Sequence, residues 1–198
     1  MLGAAVVTVT VLLFALFLII DLPFGYFFVC LLLPVGFIMM TAGFYNETED
    51  GRRVPALVGV ILSAVYGVLV MLVYFAQVTT VRQSELSDEA RLIVEFKPGS
   101  LAFSYDLLGY GMMALSTFFT GLAFKPRNRR DKWLKALLLI HGAFFPGCFI
   151  MPMTGVFGST NDGGAGRGGT IALVCWCVYF LPVGVLAFLH FYENQNTD

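Results

Sequence analysis

Asp106 is the residue with the most chemical potential in this chain. It is a carboxylic acid inside an apolar run, with Tyr105 beside it and Tyr110 one helical turn further on. An ionisable group at membrane depth is expensive to keep there, so it is a functional candidate by default. Two readings are open. Asp106 is a helix N-cap at the interface, or it is a protonatable carboxylate at an outward-facing cavity, where desolvation would let it take a proton or a cation. Asp21 is expected at the same outer level. It could act as a second carboxylate and complete a cation-attracting mouth.

His141 is the most deeply placed ionisable group, about eight residues or 12 Å into its helix. A neutral imidazole bonded to a neighbouring helix is one reading, and a ligand contact or proton relay is the other. His190 lies nearer a helix end. The two differ in depth by roughly 10 Å, which strains axial ligation of a single haem. Pro146, within Phe145-Pro146-Gly147-Cys148, marks an expected helix break whose freed backbone could line a binding cavity. The ligand-binding candidates are therefore Asp106, Asp21, Tyr105, Tyr110, His141 and Pro146.

Other chemistry is missing. There is no His-Glu-x-x-His, no Gly-x-Ser-x-Gly and no acid cluster at metal-ligand spacing. Cys30, Cys148, Cys175 and Cys177 form no Cys-x-x-Cys pair, and 175 and 177 point to nearly opposite helix faces. No catalytic residue, metal or cofactor is expected, and the chain leans away from enzymes.

The elements that must position these residues follow from the solvent. Of 198 residues, 58% are hydrophobic and 13% charged, about half the charge of a soluble domain. Six apolar stretches run over about 4–20, 22–45, 54–78, 101–124, 133–151 and 170–192. Their lengths match the roughly 20 residues a helix needs to cross a bilayer, where every backbone group must be bonded internally. The expected fold is all-α, a single polytopic membrane bundle of six transmembrane helices with no separate soluble domain.

Orientation comes from Lys and Arg. The 125–135 segment reads Lys-Pro-Arg-Asn-Arg-Arg-Asp-Lys-Trp-Leu-Lys, and the 46–53 loop holds Arg52 and Arg53. Eight basic residues fall on that side and four on the other. The positive-inside rule makes both termini cytoplasmic. The start of the chain lacks the basic region and cleavage site of a signal peptide, so the first run reads as a retained helix.

Three further expectations concern packing. Asp21-Leu22-Pro23 turns the first helix into the second, with Asp21 as cap and Pro23 in the first turn. Gly59, Ser63 and Gly67, Thr117 and Gly121, and Ala143 and Gly147 form small-residue faces for helix packing or for a homodimer. Residues 84–96 read as a short amphipathic helix on the surface or over the bundle mouth, and the glycines of 154–170 as a linker.

The net charge of −1 gives no case for nucleic acid. The expected partners are the lipid bilayer, a small solute, and a second copy or a membrane partner protein. Compact size and short loops suggest a prokaryotic plasma membrane. Three function classes follow. The first is binding or transport of a small solute through an outward-opening cavity. The second is a non-catalytic accessory or assembly subunit. The third is a membrane enzyme acting on lipid or quinone with His141 as acid/base.

Overall fold

The computed structural model describes residues 1–83, 85–155 and 167–195, with the side chains of 167 and 168 left aside. All regular elements among them are helical. They are α1 (Leu2–Ile19), α2 (Pro23–Asn46), α3 (Arg53–Val78), α4 (Thr80–Gln83), α5 (Asp88–Val94), α6 (Leu101–Ala123), α7 (Arg129–His141), α8 (Phe144–Ile150) and α9 (Arg167–Gln195), with 3₁₀ turns at Asp50–Arg52 and Met151–Thr154. The glycine-rich linker expected over 154–170 lies largely outside the described residues.

Among the described residues, five helical stretches are long and apolar enough to cross a membrane: Leu2–Ile19, Pro23–Asn46, Asp50–Gln83, Arg129–Thr154 and Gly169–Gln195. α6 is 23 residues long but is not among them. Ser104, Asp106, Ser116, Thr117, Thr120 and three glycines dilute its hydropathy. Apart from the exposed Ser104, these polar residues face protein, and eleven residues of α6 are buried. Large apolar side chains elsewhere point outward. On α3 the stripe Leu57, Ile61, Val68, Leu72 and Phe75 is exposed along the whole helix, up to 66% at Leu72. A face this apolar suits lipid, not water.

The elements run up and down through the bundle. Gly3 packs against Gly36 and Met40 of α2, Gly67 against Pro34 and Ile38, Gly59 against Ser116 and Thr120 of α6, and Gly184 of α9 against Thr8 of α1. α3 and α6 make the most extensive pairing, with α2 against both α1 and α3. Close approach here depends on small residues, as expected for helices that gain nothing from water exclusion. A Cβ on Gly3 would sit 2.5 Å from the Met40 amide nitrogen. Ser116 adds a bond across the same seam, donating to the Gly59 carbonyl at 2.7 Å, a contact worth about 0.6 kcal/mol in such a setting. The Gly59, Ser63 and Gly67 face is thus used within the chain. Among the described residues, nothing packs within 4 Å of a Cβ at Gly147.

Two turns differ from expectation. Asp21 does not cap α2, whose N-cap is Leu22 with no side-chain bond. It is instead the left-handed residue (φ 52°) closing α1. Leu22 N donates to Phe17 O at 2.9 Å and Asp21 N to Leu18 O at 3.4 Å, the paired bonds of a Schellman stop, which tolerates Asp in the left-handed region. Nor is Asp106 an N-cap. Ser100 caps α6, accepting from Phe103 N at 3.0 Å, which sets Asp106 more than a turn inside the helix.

The break in the α7–α8 stretch is one turn ahead of Pro146. Pro146 has no N–H for the Gly142 carbonyl, and its ring crowds that carbonyl. Phe145 N takes the carbonyl at 3.1 Å, and Gly142 N and Ala143 N donate three residues back, to Leu139 O and Ile140 O. Gly142 is itself right-handed helical; its missing Cβ makes room for Phe118, whose Cβ would lie 2.8 Å from one.

Candidate functional site

α6, α3 and α2 bring a polar group into the bundle core. Asp106 and Tyr110 share a face of α6, one turn apart. α3 contributes Tyr66 and Tyr74, and α2 contributes Cys30, all three near enough to feel the charge of Asp106. Asp106 is 5% exposed and Tyr66 fully buried. The rings of Tyr66 and Tyr110 lie 5.6 Å apart in a T-shaped contact. The Tyr74 hydroxyl lies beside the Asp106 carboxyl. Among the described residues, three buried side-chain atoms are without a hydrogen-bond partner: Asp106 Oδ1, Tyr66 Oη and Tyr110 Oη. Each such atom costs about 1–3 kcal/mol, so sequestering them together is costly unless they serve something else.

The mouth above them is covered. Gln77, buried at the end of α3, donates to Val94 O at 2.7 Å and accepts from Phe96 N at 2.9 Å. These two bonds staple the strand of chain after α5 across the bundle. Phe96 then fills the mouth, with Phe27, Tyr74 and Phe103 at 5.9, 5.7 and 5.5 Å between ring centroids. A cavity of about 270 Å³ lies immediately outside, sharing Phe27 and Gln77 as walls and bounded by Phe24 and Arg82. α5 is the amphipathic helix expected over 84–96, held by Gln77; its Ile93 is exposed.

The other predicted residues are not part of this cluster. Asp21 is exposed in the α1–α2 turn, so it forms no sealed pair with Asp106. Tyr105 and Pro146 are exposed. His141 is buried and fully bonded. The Trp176 indole donates to Nε2 at 3.1 Å, so in the neutral ring Nδ1 carries the proton and donates to Thr117 Oγ1 at 2.8 Å. Thr117 in turn donates to Ala114 O at 2.8 Å. Trp176 also touches Tyr110, at 5.5 Å between rings, which links His141 to the core cluster by packing.

At the opposite, basic end is a second group that sequence reasoning missed. His190 of α9 stands between two acids: Nδ1 lies 2.9 Å from Asp131 Oδ1 and Nε2 lies 2.9 Å from Glu47 Oε2. Doubly protonated, the ring donates to both. Asp131 also accepts from Arg127 N at 2.9 Å, and its own amide is capped by Asn128. Asn194 donates to Glu47 at 2.9 Å, and Arg130 pairs with Glu193. Burial works against the charge of Glu47, but hydrogen bonds from His190 and Asn194, with the charges of His190 and Arg127, hold its carboxyl below the usual range. The one available signal was Asp131, the lone acid of a basic run.

No group of three or more His, Cys, Asp or Glu suited to a metal occurs among the described residues. In comparisons with protein-family models, curated proteins and solved structures, nothing matches this chain.

Proposed function

We propose that this multi-pass membrane protein binds or moves a small polar solute at the Asp106–Tyr66–Tyr74–Tyr110 cluster. The observation that carries the reading is the convergence of three buried, unpartnered oxygens on one place. They supply an acceptor from Asp106 and two phenols that can donate or accept. The matching solute carries at least one donor. Tyr faces beside a carboxylate favour a cationic amine over a neutral hydroxyl compound.

Access is from the end closed by Gln77 and Phe96, with the 270 Å³ cavity as vestibule. Releasing the two Gln77 bonds would free Phe96 and expose Tyr74 and Asp106. In this reading α6 is the sixth crossing helix. Its weak hydropathy is supported by its central position, shielded from lipid by α3, α7 and α8. Both termini and the 125–135 segment are cytoplasmic, by the positive-inside rule.

The test is mass spectrometry of small molecules retained by the full chain in lipid nanodiscs, wild type beside Asp106→Asn. A stoichiometric polar species in the wild type and its loss in the variant are expected. Equal retention by both would sink the assignment of the site. For topology, Cys introduced at Arg129 should be shielded from impermeant thiol reagents in intact cells, and Cys at Glu85 labelled. The reverse pattern inverts the access route.

A further inference from the structure

The basic end carries a second cavity, of about 300 Å³, independent of the core cluster. Its floor is Phe44, Ala123 and Phe124, and its rim holds Arg52, Lys125 and Arg127, with Glu47, Glu49 and His190 completing the wall. The acids of the rim are already engaged. Glu49 accepts from Lys125 at 2.8 Å, and Glu47 is held by His190 and Asn194. Arg127 is bonded to Asn194 and stands 4.0 Å from Glu47. Arg52 has no carboxylate within ion-pair distance among the described residues. Close by, the Lys135 ammonium, which donates to Phe124 O at 2.8 Å, feels the like charge of Arg52. Arg52, Lys125 and Arg127 thus converge on an apolar floor, and the one rim acid near enough to feel Arg52, Glu49, is already bonded to Lys125.

The surroundings say what kind of anion fits. A guanidinium fork and an ammonium group suit a phosphate oxygen set. The helix that begins at the Arg52 rim carries Val54, Leu57 and Ile61 on one face, all exposed, at 74% for Val54. Leu122 of α6 is exposed near the same end. A soluble phosphate would leave this stripe unused. A phosphate with acyl chains would use both halves.

We infer that this cavity binds the phosphate headgroup of an anionic phospholipid, with Arg52 as its main anchor, Lys125 beside it, and the acyl chains along the Val54–Leu57–Ile61 face. Basic pockets between helices at a bilayer surface take such headgroups. Occupancy would leave the Glu47–His190–Asp131 network intact behind the cavity wall.

The experiment is native mass spectrometry of the full chain in phosphatidylcholine nanodiscs, with phosphatidylglycerol added as the probe. Wild type should retain phosphatidylglycerol over phosphatidylcholine. Arg52→Gln should lower that preference by roughly fivefold, and Arg52→Gln with Lys125→Gln further, the size expected of one basic group each. The control is Arg129→Gln with Lys132→Gln, two exposed cations outside the cavity, which should leave it unchanged. A melting curve for each variant confirms that the fold survives. Unchanged retention in the Arg52 variant, or an equal loss in the control, would overturn the site. Displacement of the lipid by millimolar inorganic phosphate would overturn the lipid assignment.

Discussion

Asp131 and Asp106 are both sealed from solvent, at 2% and 5% exposure, yet their surroundings differ. Asp131 accepts from His190 and from the Arg127 amide, and no buried side-chain atom of its network lacks a partner. Asp106 has one carboxyl oxygen with none, beside two tyrosine hydroxyls in the same condition. The first arrangement joins α2, α7 and α9 and explains itself as structure. The second holds polar groups in a state that packing alone would not favour. Strain of that kind is what a binding site retains for its ligand.

The sharpest way to break this contrast is Asp131→Ala. It strands His190 Nδ1 and the Arg127 amide, while Glu47 still holds Nε2, and each stranded buried donor costs about 1–3 kcal/mol. Denaturant unfolding in a fixed lipid environment reads the loss. A change below 1 kcal/mol would erase the distinction. Asp106→Asn should behave in the opposite sense. It replaces a buried acid with an unmet need by a neutral amide, so stability should hold or rise by about 1 kcal/mol while solute retention disappears. A destabilisation as large as that of Asp131→Ala would mean that Asp106 too is structural.

Gln77→Ala tests the cover. Three hydrogen bonds go, two of them to the cover and one to Val73 O of its own helix, each worth about 1 kcal/mol, and amide exchange at Phe96 should accelerate about tenfold while the α2–α9 contacts stay protected. If the whole bundle loosens instead, the cover is part of the core. The smallest effect is the pH dependence at Glu47. Its folded carboxyl is held below its ordinary value near 4.5, so its contribution is complete above that value and is lost as pH falls through the depressed one. Glu47→Gln should flatten the acid-side decline of melting temperature and leave the neutral plateau with a small, constant offset.

Much of the architecture was legible because it depends on lipid. Apolar run lengths located the helices to within a few residues, and Gly59, Ser63 and Gly67 marked a real contact face. The legible part of the site was Asp106 with Tyr110, since both lie on one face of one helix. Tyr66, Tyr74 and Cys30 were not foreseeable, because only tertiary packing aligns α2 and α3 with α6, and Tyr is unremarkable in such a helix. Glu47, Asp131 and His190 come from positions far apart in sequence and meet only when three helix ends converge. Local geometry misled at Asp21, where a left-handed stop and an N-cap use the same residue type. Pro146 did mark the break, since its missing N–H frees the carbonyl one turn earlier, at Gly142.

The bonds of His141 carry a consequence for proton movement. Indole can only give a proton, so the sequence from Trp176 through His141 and Thr117 to Ala114 O has a fixed direction. No lone pair on the imidazole is left to receive an incoming proton, and none can open by a tautomer flip while Trp176 stays in place. A Grotthuss hop through this ring is therefore blocked. A proton held at Asp106 therefore has no onward path through His141.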